Sequence, residues 1–394
     1  MLLRHRRIFA LAAFFALATP LVVGLVAPDS PATVLKEGRS LAPAPWPPAT
    51  GTSWLALPAA VDAYLKDHFG LREMLITAHR ELTKPMLGFG NDSVLVGRDG
   101  RMFFLGEGTL RQSAGLLVRD QRVADATDML VRMNDELQTR GIRFLVAPPP
   151  NGATIYQDDL PLWAQNPGKP TEYDMLLANL AAKGVTAVDL RPPVRNARKQ
   201  GPAFYMHDTH WTFRGALAAY NAIVEADSRE DWRIEPASAL GPMTLRTGGD
   251  LARMLGVGDG VSEYAETLTL ASETRPVQSS DPVADFTETS EKTGPTILIL
   301  GDSFTSGDLP PLILQHASRV VWMSHLLCGF DWNEVEQYRP DEVWWMPTER
   351  FLVCLTGRKP KGLPERKAVS AGDKVPAGLA AQMGAVRGRD GAGQ

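Results

Sequence analysis

The stretch Thr296-Ile-Leu-Ile-Leu-Gly301-Asp302-Ser303-Phe304 decides the fold. The apolar run ending at Leu300 is what a strand buried on both faces looks like in a parallel sheet, and it stops abruptly in Gly-Asp-Ser. A turn there delivers a hydroxyl to the carboxyl edge of the sheet, where open α/β sheets bind their ligands. Outward from this strand, helical and extended patterns alternate. Val123 to Thr139 carries Ala126, Met129, Leu130, Met133 and Leu137 at helical spacing, Gly141 ends it, and Ile142 to Ala147 reads as a buried strand. A helix from about Tyr173 to Ala182 leads through Gly184 to a strand over Val185 to Leu190. Further on, Phe213 to Ala226 is helical behind a Thr212 cap and Leu309 to His316 is helical. Arg319 to Met323 and Glu342 to Met346 are strands. The alternation predicts an α/β fold with a parallel sheet and helices on both faces. Trp344 and Trp345, adjacent on a strand, must face opposite ways, which puts at least one of them in the core. Asn91 to Phe104 predicts a hairpin turning at Asp99-Gly100. Gly241 to Phe286 reads as a polar, loop-rich insertion near the site without firm structure, punctuated by Gly248-Gly249-Asp250-Leu251.

A second stretch, Tyr205-Met-His207-Asp208-Thr-His210-Trp211, supplies what the serine needs. A serine hydroxyl is a weak nucleophile until a base takes its proton, and the oxyanion it generates must meet fixed N–H donors. On extended backbone Asp208 and His210 point to the same side, so the carboxylate can hold the imidazole in one tautomer while its other nitrogen faces the hydroxyl. Ser303 is then the nucleophile, His210 the base and Asp208 its orienting acid. The backbone N–H groups of Ser303 and Gly301 are candidate oxyanion donors at the start of the next helix. His207 beside Asp208 and His210 raises a metal alternative, but no third ligand group with fitting spacing is apparent, so neither a metal nor a cofactor is expected.

Arg4, His5, Arg6 and Arg7 precede an apolar run from Ile8 to Ala27, interrupted only by Thr19, Pro20 and Gly24. About 20 such residues suffice to cross a bilayer, and the flanking arginines orient the rest of the chain outward. Ala16-Leu17-Ala18 offers a cleavage site, so residues 1–27 are an anchor in the inner membrane or a removed signal peptide, and the remainder is expected in the periplasm. Residues 28–58 read as a Pro/Ala-rich tether, 59–90 as a helical lead-in with Val61, Leu65, Phe69, Leu75 and Leu82 on one stripe, 91–356 as the main domain and 357–394 as a disordered tail. A net charge of -4 without a basic, aromatic-laced stripe argues against a nucleic-acid partner. The only cysteines, Cys328 and Cys354, either pair in an oxidising compartment or stay as buried thiols.

Asp208-Thr-His210-Trp211-Thr212, Gly301-Asp302-Ser303-Phe304 and Glu349-Arg350-Phe351-Leu352 occur in this order, with Pro148-Pro-Pro-Asn151 and Asp250-Leu-Ala-Arg-Met254 in support. In this the chain resembles the SGNH-hydrolase-like O-acetyltransferases of the AlgJ and AlgX type, over about residues 91–355. The resemblance implies a flavodoxin-like α/β domain that moves an acetyl group through a Ser303 ester onto hydroxyls of an alginate-like exopolysaccharide. It also implies a multi-spanning membrane acyltransferase as acetyl donor, since this chain carries no cradle for a cytoplasmic acyl carrier. Asn151 is a candidate oxyanion donor or a turn former. Tyr205 and Trp211 either stack on a sugar ring or support the loop. Arg350 either clamps a carboxylate or caps a helix. The family pattern has a basic residue after the Pro-Pro-Asn segment, where this chain has Gly152. A polysaccharide esterase and a non-catalytic glycan-binding scaffold are the competing expectations.

Overall fold

The run ending in Gly-Asp-Ser is a central strand of a six-stranded sheet. The computed structural model describes residues 57–67, 90–270, 275–276, 286–354 and 358–365, with isolated positions 14, 19 and 45. In chain order, β1 (Val94–Val96) and β2 (Met102–Phe104) form the expected antiparallel hairpin, and Asp99 and Gly100 both take positive φ at its turn. The main sheet contains β3 (Arg143–Val146), β6 (Arg275–Pro276), β7 (Phe286–Thr289), β8 (Thr296–Gly301), β9 (Arg319–Ser324) and β10 (Glu342–Met346), in the order β3-β10-β8-β9-β7-β6. β3, β10, β8 and β9 are parallel, whereas β7 and β6 run antiparallel, so the sheet is mixed rather than wholly parallel. The link from β7 to β8, residues 290–295, is too short for a crossover, which forces the reversal.

The alternation of side chains divides the core in two. Ile297, Ile299, Val320, Trp322 and Trp344 belong to one buried cluster, and Leu298, Leu300, Val321, Met323 and Trp345 to the other. Both adjacent tryptophans are therefore core, one on each face. Helices α1 (Asp120–Thr139) and α2 (Glu172–Ala182) cover the second cluster through Val123, Leu130, Met133, Tyr173 and Leu176. Thr171 and Asp174 close a reciprocal cap at the start of α2. Helix α3 (Phe213–Ala226) covers the first through Leu217, Tyr220 and Ile223, and the Thr212 hydroxyl caps it by accepting from Gly215 N.

Three expectations change. Val185 to Leu190 forms no strand: it touches β3 through one bridge, Val146 with Ala187, before Pro192 and Pro193 commit the chain to a helix. Gly241 to Phe286 is not structureless: β4 (Leu240–Thr247) pairs with β5 (Ser262–Leu268) around a helix α4 (Asp250–Leu255), ahead of β6 and β7. Part of the expected tail is ordered, because Lys361 bridges Asp331 and Leu363 is buried in the core, while residues 366–394 lie outside the described residues. Cys328 and Cys354 are disulfide-bonded. They join the loops that follow β9 and β10, the strands on either side of β8. Within the lead-in, Leu57–Asp67 is helical, but Val61 is exposed, and Phe69, Leu75 and Leu82 lie outside the described residues. No described helix is long and apolar enough to cross a membrane, and residues 8–27 are, apart from Phe14 and Thr19, outside the described residues.

Candidate active site

Strand β8 ends at Gly301, and Ser303 opens the short helix α5 (Ser303–Ser306). Asp302 shapes the turn: its Oδ1 accepts from Phe304 N at 3.0 Å and from the Thr348 hydroxyl at 2.8 Å, and its Oδ2 accepts from Thr348 N at 2.8 Å. The loop after β10 is thus pinned to the nucleophile turn. A Cβ on Gly301 would lie 2.0 Å from Thr305 Oγ1, so packing alone requires glycine there.

Asp208 and His210 do not sit on extended backbone. They occupy a tight bend between Phe204 and Trp211, which bridge antiparallel. Asp208 Oδ1 accepts from both His210 N (3.1 Å) and His210 Nδ1 (2.6 Å), an Asx-type turn that fixes the imidazole to its own acid. The ring also lies 4.8 Å from the Phe304 ring. Its Nε2 reaches Ser303 Oγ at 2.9 Å, so the structure brings together all three residues marked in the sequence.

The hairpin β4/β5 completes this arrangement. Arg246, on β4, donates to Asp208 Oδ2 at 2.8 Å, and Asp250 N, at the start of α4, donates to the same oxygen at 3.2 Å. Asp250 in turn accepts from Thr209 N (2.7 Å) and the Thr209 hydroxyl (2.5 Å). Glu263, on β5, accepts from Met206 N and His207 N. Gly249 makes the approach possible: with φ at 146°, a Cβ there would meet His207 O at 2.1 Å. Arg246 and Asp250 were not legible as site residues. The inward face of the hairpin is polar and the outward face carries exposed Met243, Leu245 and Tyr264, which inverts the usual strand pattern. The signals available for Asp250 were the Gly248-Gly249-Asp250 punctuation and the Asp250-Leu-Ala-Arg-Met254 stretch that supported the resemblance.

Burial alone would raise the Asp208 carboxyl, but hydrogen bonds from His210 and Arg246 outweigh it and hold the group well below the usual carboxylate range. Burial likewise opposes a charged His210, yet its bond to Asp208 raises the imidazole above its ordinary value. Asp308, beside these groups, is pushed up to about 6 by burial and by the negative charge of Asp208. Asp208, His210 and Asp250 place one potential ligand atom each within 4.8 Å of one another. Both oxygens of Asp208 and both of Asp250 are already committed to N–H and O–H donors, which leaves a cation poorly served.

The remaining sequence candidates divide. Asn151 is buried and lines a small cavity with Tyr205, Asp208, Thr209 and Arg350. Its N donates to Glu349 Oε2 (2.8 Å), its Nδ2 donates to Ser113 Oγ (3.3 Å), and its Oδ1 has no hydrogen-bond partner among the described residues. Tyr205 packs under the Arg246 guanidinium, 4.1 Å from its ring centroid, and burial raises its hydroxyl to about 12. Trp211 is fully buried against Phe304 and has no face to offer a sugar; it supports the loop because the residues after His210 turn inward to begin α3. Arg350 packs against Phe304, Phe351 and Phe104 and makes no hydrogen bond to a helix end among the described residues.

Comparison with known proteins places the chain in a family. The family described as "SGNH hydrolase-like domain, acetyltransferase AlgX" matches residues 94–336. The probable alginate O-acetylase AlgJ of Pseudomonas putida is 26% identical over 176 residues, 44% of this chain and 44% of that protein. Its counterpart in Pseudomonas aeruginosa is 25% identical over 157 residues, 40% and 39% of the two chains. The chain thus aligns with less than half the length of these relatives. The structure of Bacillus cereus PatB1 with a sulfonyl adduct shares the fold, with a TM-score of 0.50 at 12% identity over 69% of this chain and 98% of that one. With more than half of its residues matched, this chain belongs to the SGNH hydrolase-like, AlgX acetyltransferase domain family.

Proposed function

We propose that this chain is a periplasmic O-acetyltransferase that esterifies hydroxyls of an alginate-like exopolysaccharide through an acetyl-serine intermediate. The observation that carries the reading is the continuous relay from Ser303 Oγ through His210 to Asp208, which Arg246 backs. In the first step Ser303 Oγ attacks the acetyl carbonyl of the donor while its proton passes to His210 Nε2. The protonated imidazole returns that proton to the leaving group as the donor bond breaks. In the second, a sugar hydroxyl gives its proton to His210 Nε2 and attacks the acetyl-Ser303 carbonyl, after which Ser303 Oγ leaves and is reprotonated. Each oxyanion is met by the Ser303 backbone N–H, with Asn151 as the side-chain donor. A half-turn of its carboxamide would give Ser113 to the lone Oδ1 and free Nδ2 for the site.

Residues 1–27 serve as an inner-membrane anchor, 28–58 as tether, 59–90 as lead-in and 91–356 as the catalytic domain. A multi-spanning membrane acyltransferase hands over the acetyl group. Purified protein should release acetate from 4-nitrophenyl acetate and place acetyl on a uronate oligosaccharide, detected by mass. Ser303→Ala and His210→Ala should each reduce both by about 10²–10⁴-fold. Acetate release without acetylated sugar would make the chain an esterase, and full activity in Ser303→Ala would overturn the covalent reading.

A further inference from the structure

We propose that Arg350 is the anchor for an acceptor carboxylate, so that the enzyme selects sugars bearing an acid group near the hydroxyl to be acetylated. The inference rests on the acetyl-transfer reading and adds a specificity-determining residue to it. A guanidinium carries five N–H donors. That of Arg350 makes neither a hydrogen bond nor an ion pair among the described residues, whereas Arg101, Arg119, Arg191, Arg198, Arg214 and Arg246 each grip a carboxylate. It packs against aromatic rings: the guanidinium carbon lies 5.0 Å from the ring centroids of Phe304 and Phe351 and 5.8 Å from that of Phe104. The rings orient the planar group and keep water from it on those sides, and this burial lowers its pKa.

Three neighbouring anions have other duties: Asp302 is occupied by Thr348 and Phe304 N, Asp250 by Thr209, and Glu349 Oε2 by Asn151 N and the Thr154 hydroxyl. Glu107 acts on the guanidinium through its charge from an exposed position, with no hydrogen bond or ion pair to it among the described residues. A guanidinium that feels Asp302, Asp250 and Glu107 through space but has none of its N–H donors bonded among the described residues, on the wall that also holds Asn151, Tyr205 and Asp208, is a costly arrangement unless an anion arrives to complete it. Its place is one ring away from the chemistry, because Phe304 carries His210 on one contact and Arg350 on another. A carboxylate matches the planar fork of the guanidinium with two parallel bonds.

The test compares two acceptors, a hexuronate oligosaccharide and the neutral hexose oligosaccharide of the same length, with 4-nitrophenyl acetate as donor and full-length protein. Wild type should favour the uronate by roughly ten- to a hundredfold in kcat/KM, the worth of a charge-assisted hydrogen bond. In Arg350→Gln that ratio should collapse toward one, through a higher KM for the uronate. Arg350→Lys, which keeps the charge but loses the fork, should fall between and guards against a folding defect in the first variant. Equal losses on both acceptors and on ester hydrolysis would place the guanidinium at the reacting carbonyl and overturn the proposal, as would a wild type indifferent to acceptor charge. If Ser303→Ala abolishes transfer and the uronate preference is absent, this inference fails while the acetyl-transfer reading survives.

Discussion

As the proposed base, His210 can act only when neutral, and its pKa lies above the ordinary imidazole value because the bond to Asp208 outweighs burial. Activity should therefore fall as pH drops through a midpoint above 6.5, and kcat/KM measured against pH should show that acidic limb. Asp208→Asn removes the raising partner and leaves burial in control, so the limb should move to lower pH while the plateau drops by about 10⁴-fold. A limb that stays put in this variant would show that another group governs it. At this scale the sequence was informative about side chains whose chemistry is explicit, namely Ser303, His210 and Asp208. It was silent on Arg246, since an arginine among exposed polar residues carries no mark of where its guanidinium will reach. It left Trp211 open, because an aromatic beside the proposed base suits a binding platform and a loop support equally well; full burial decides for support.

Elements whose apolar faces point inward were readable: α1, α2 and α3, the strands β8, β9 and β10, and the β1/β2 hairpin with its Asp99-Gly100 turn. The β4/β5 hairpin was not, because its buried side holds Glu263 and Arg246 against the catalytic loop and its exposed side holds Met243, Leu245 and Tyr264. Its geometry depends on Gly249, where an added Cβ would lie 2.1 Å from His207 O. Gly249→Ala should strain that passage and push Arg246 and Asp250 away from Asp208. A loss of about 1–3 kcal/mol in denaturant stability is expected, with kcat falling more than KM changes. Wild-type kcat in this variant would show that the hairpin does not position Asp208. The short contact made by 185–190 has a local cause as well: Pro192 and Pro193 turn the chain into a helix before the segment can extend along β3.

Over the whole molecule, the layered α/β plan was legible from the alternation of patterns, and the antiparallel edge was not, because nothing in a short strand announces its direction. The cysteine pair could not be settled from two residues 26 apart, but the topology brings their loops together on the rim around β8. Closing that loop should stabilise the fold by roughly 3 kcal/mol, so a Cys328→Ala, Cys354→Ala variant should melt several degrees lower in calorimetry. An unchanged melting temperature would show the bond to be dispensable. The strand order carries one more consequence. β10 is the last strand among the described residues, yet it lies between β3 and β8, so β3 cannot join the rest of the sheet until residues 342–346 are made. A chain cut short before Glu342 leaves β3 with no strand to join and uncovers the flank of β8 that β10 would pair with.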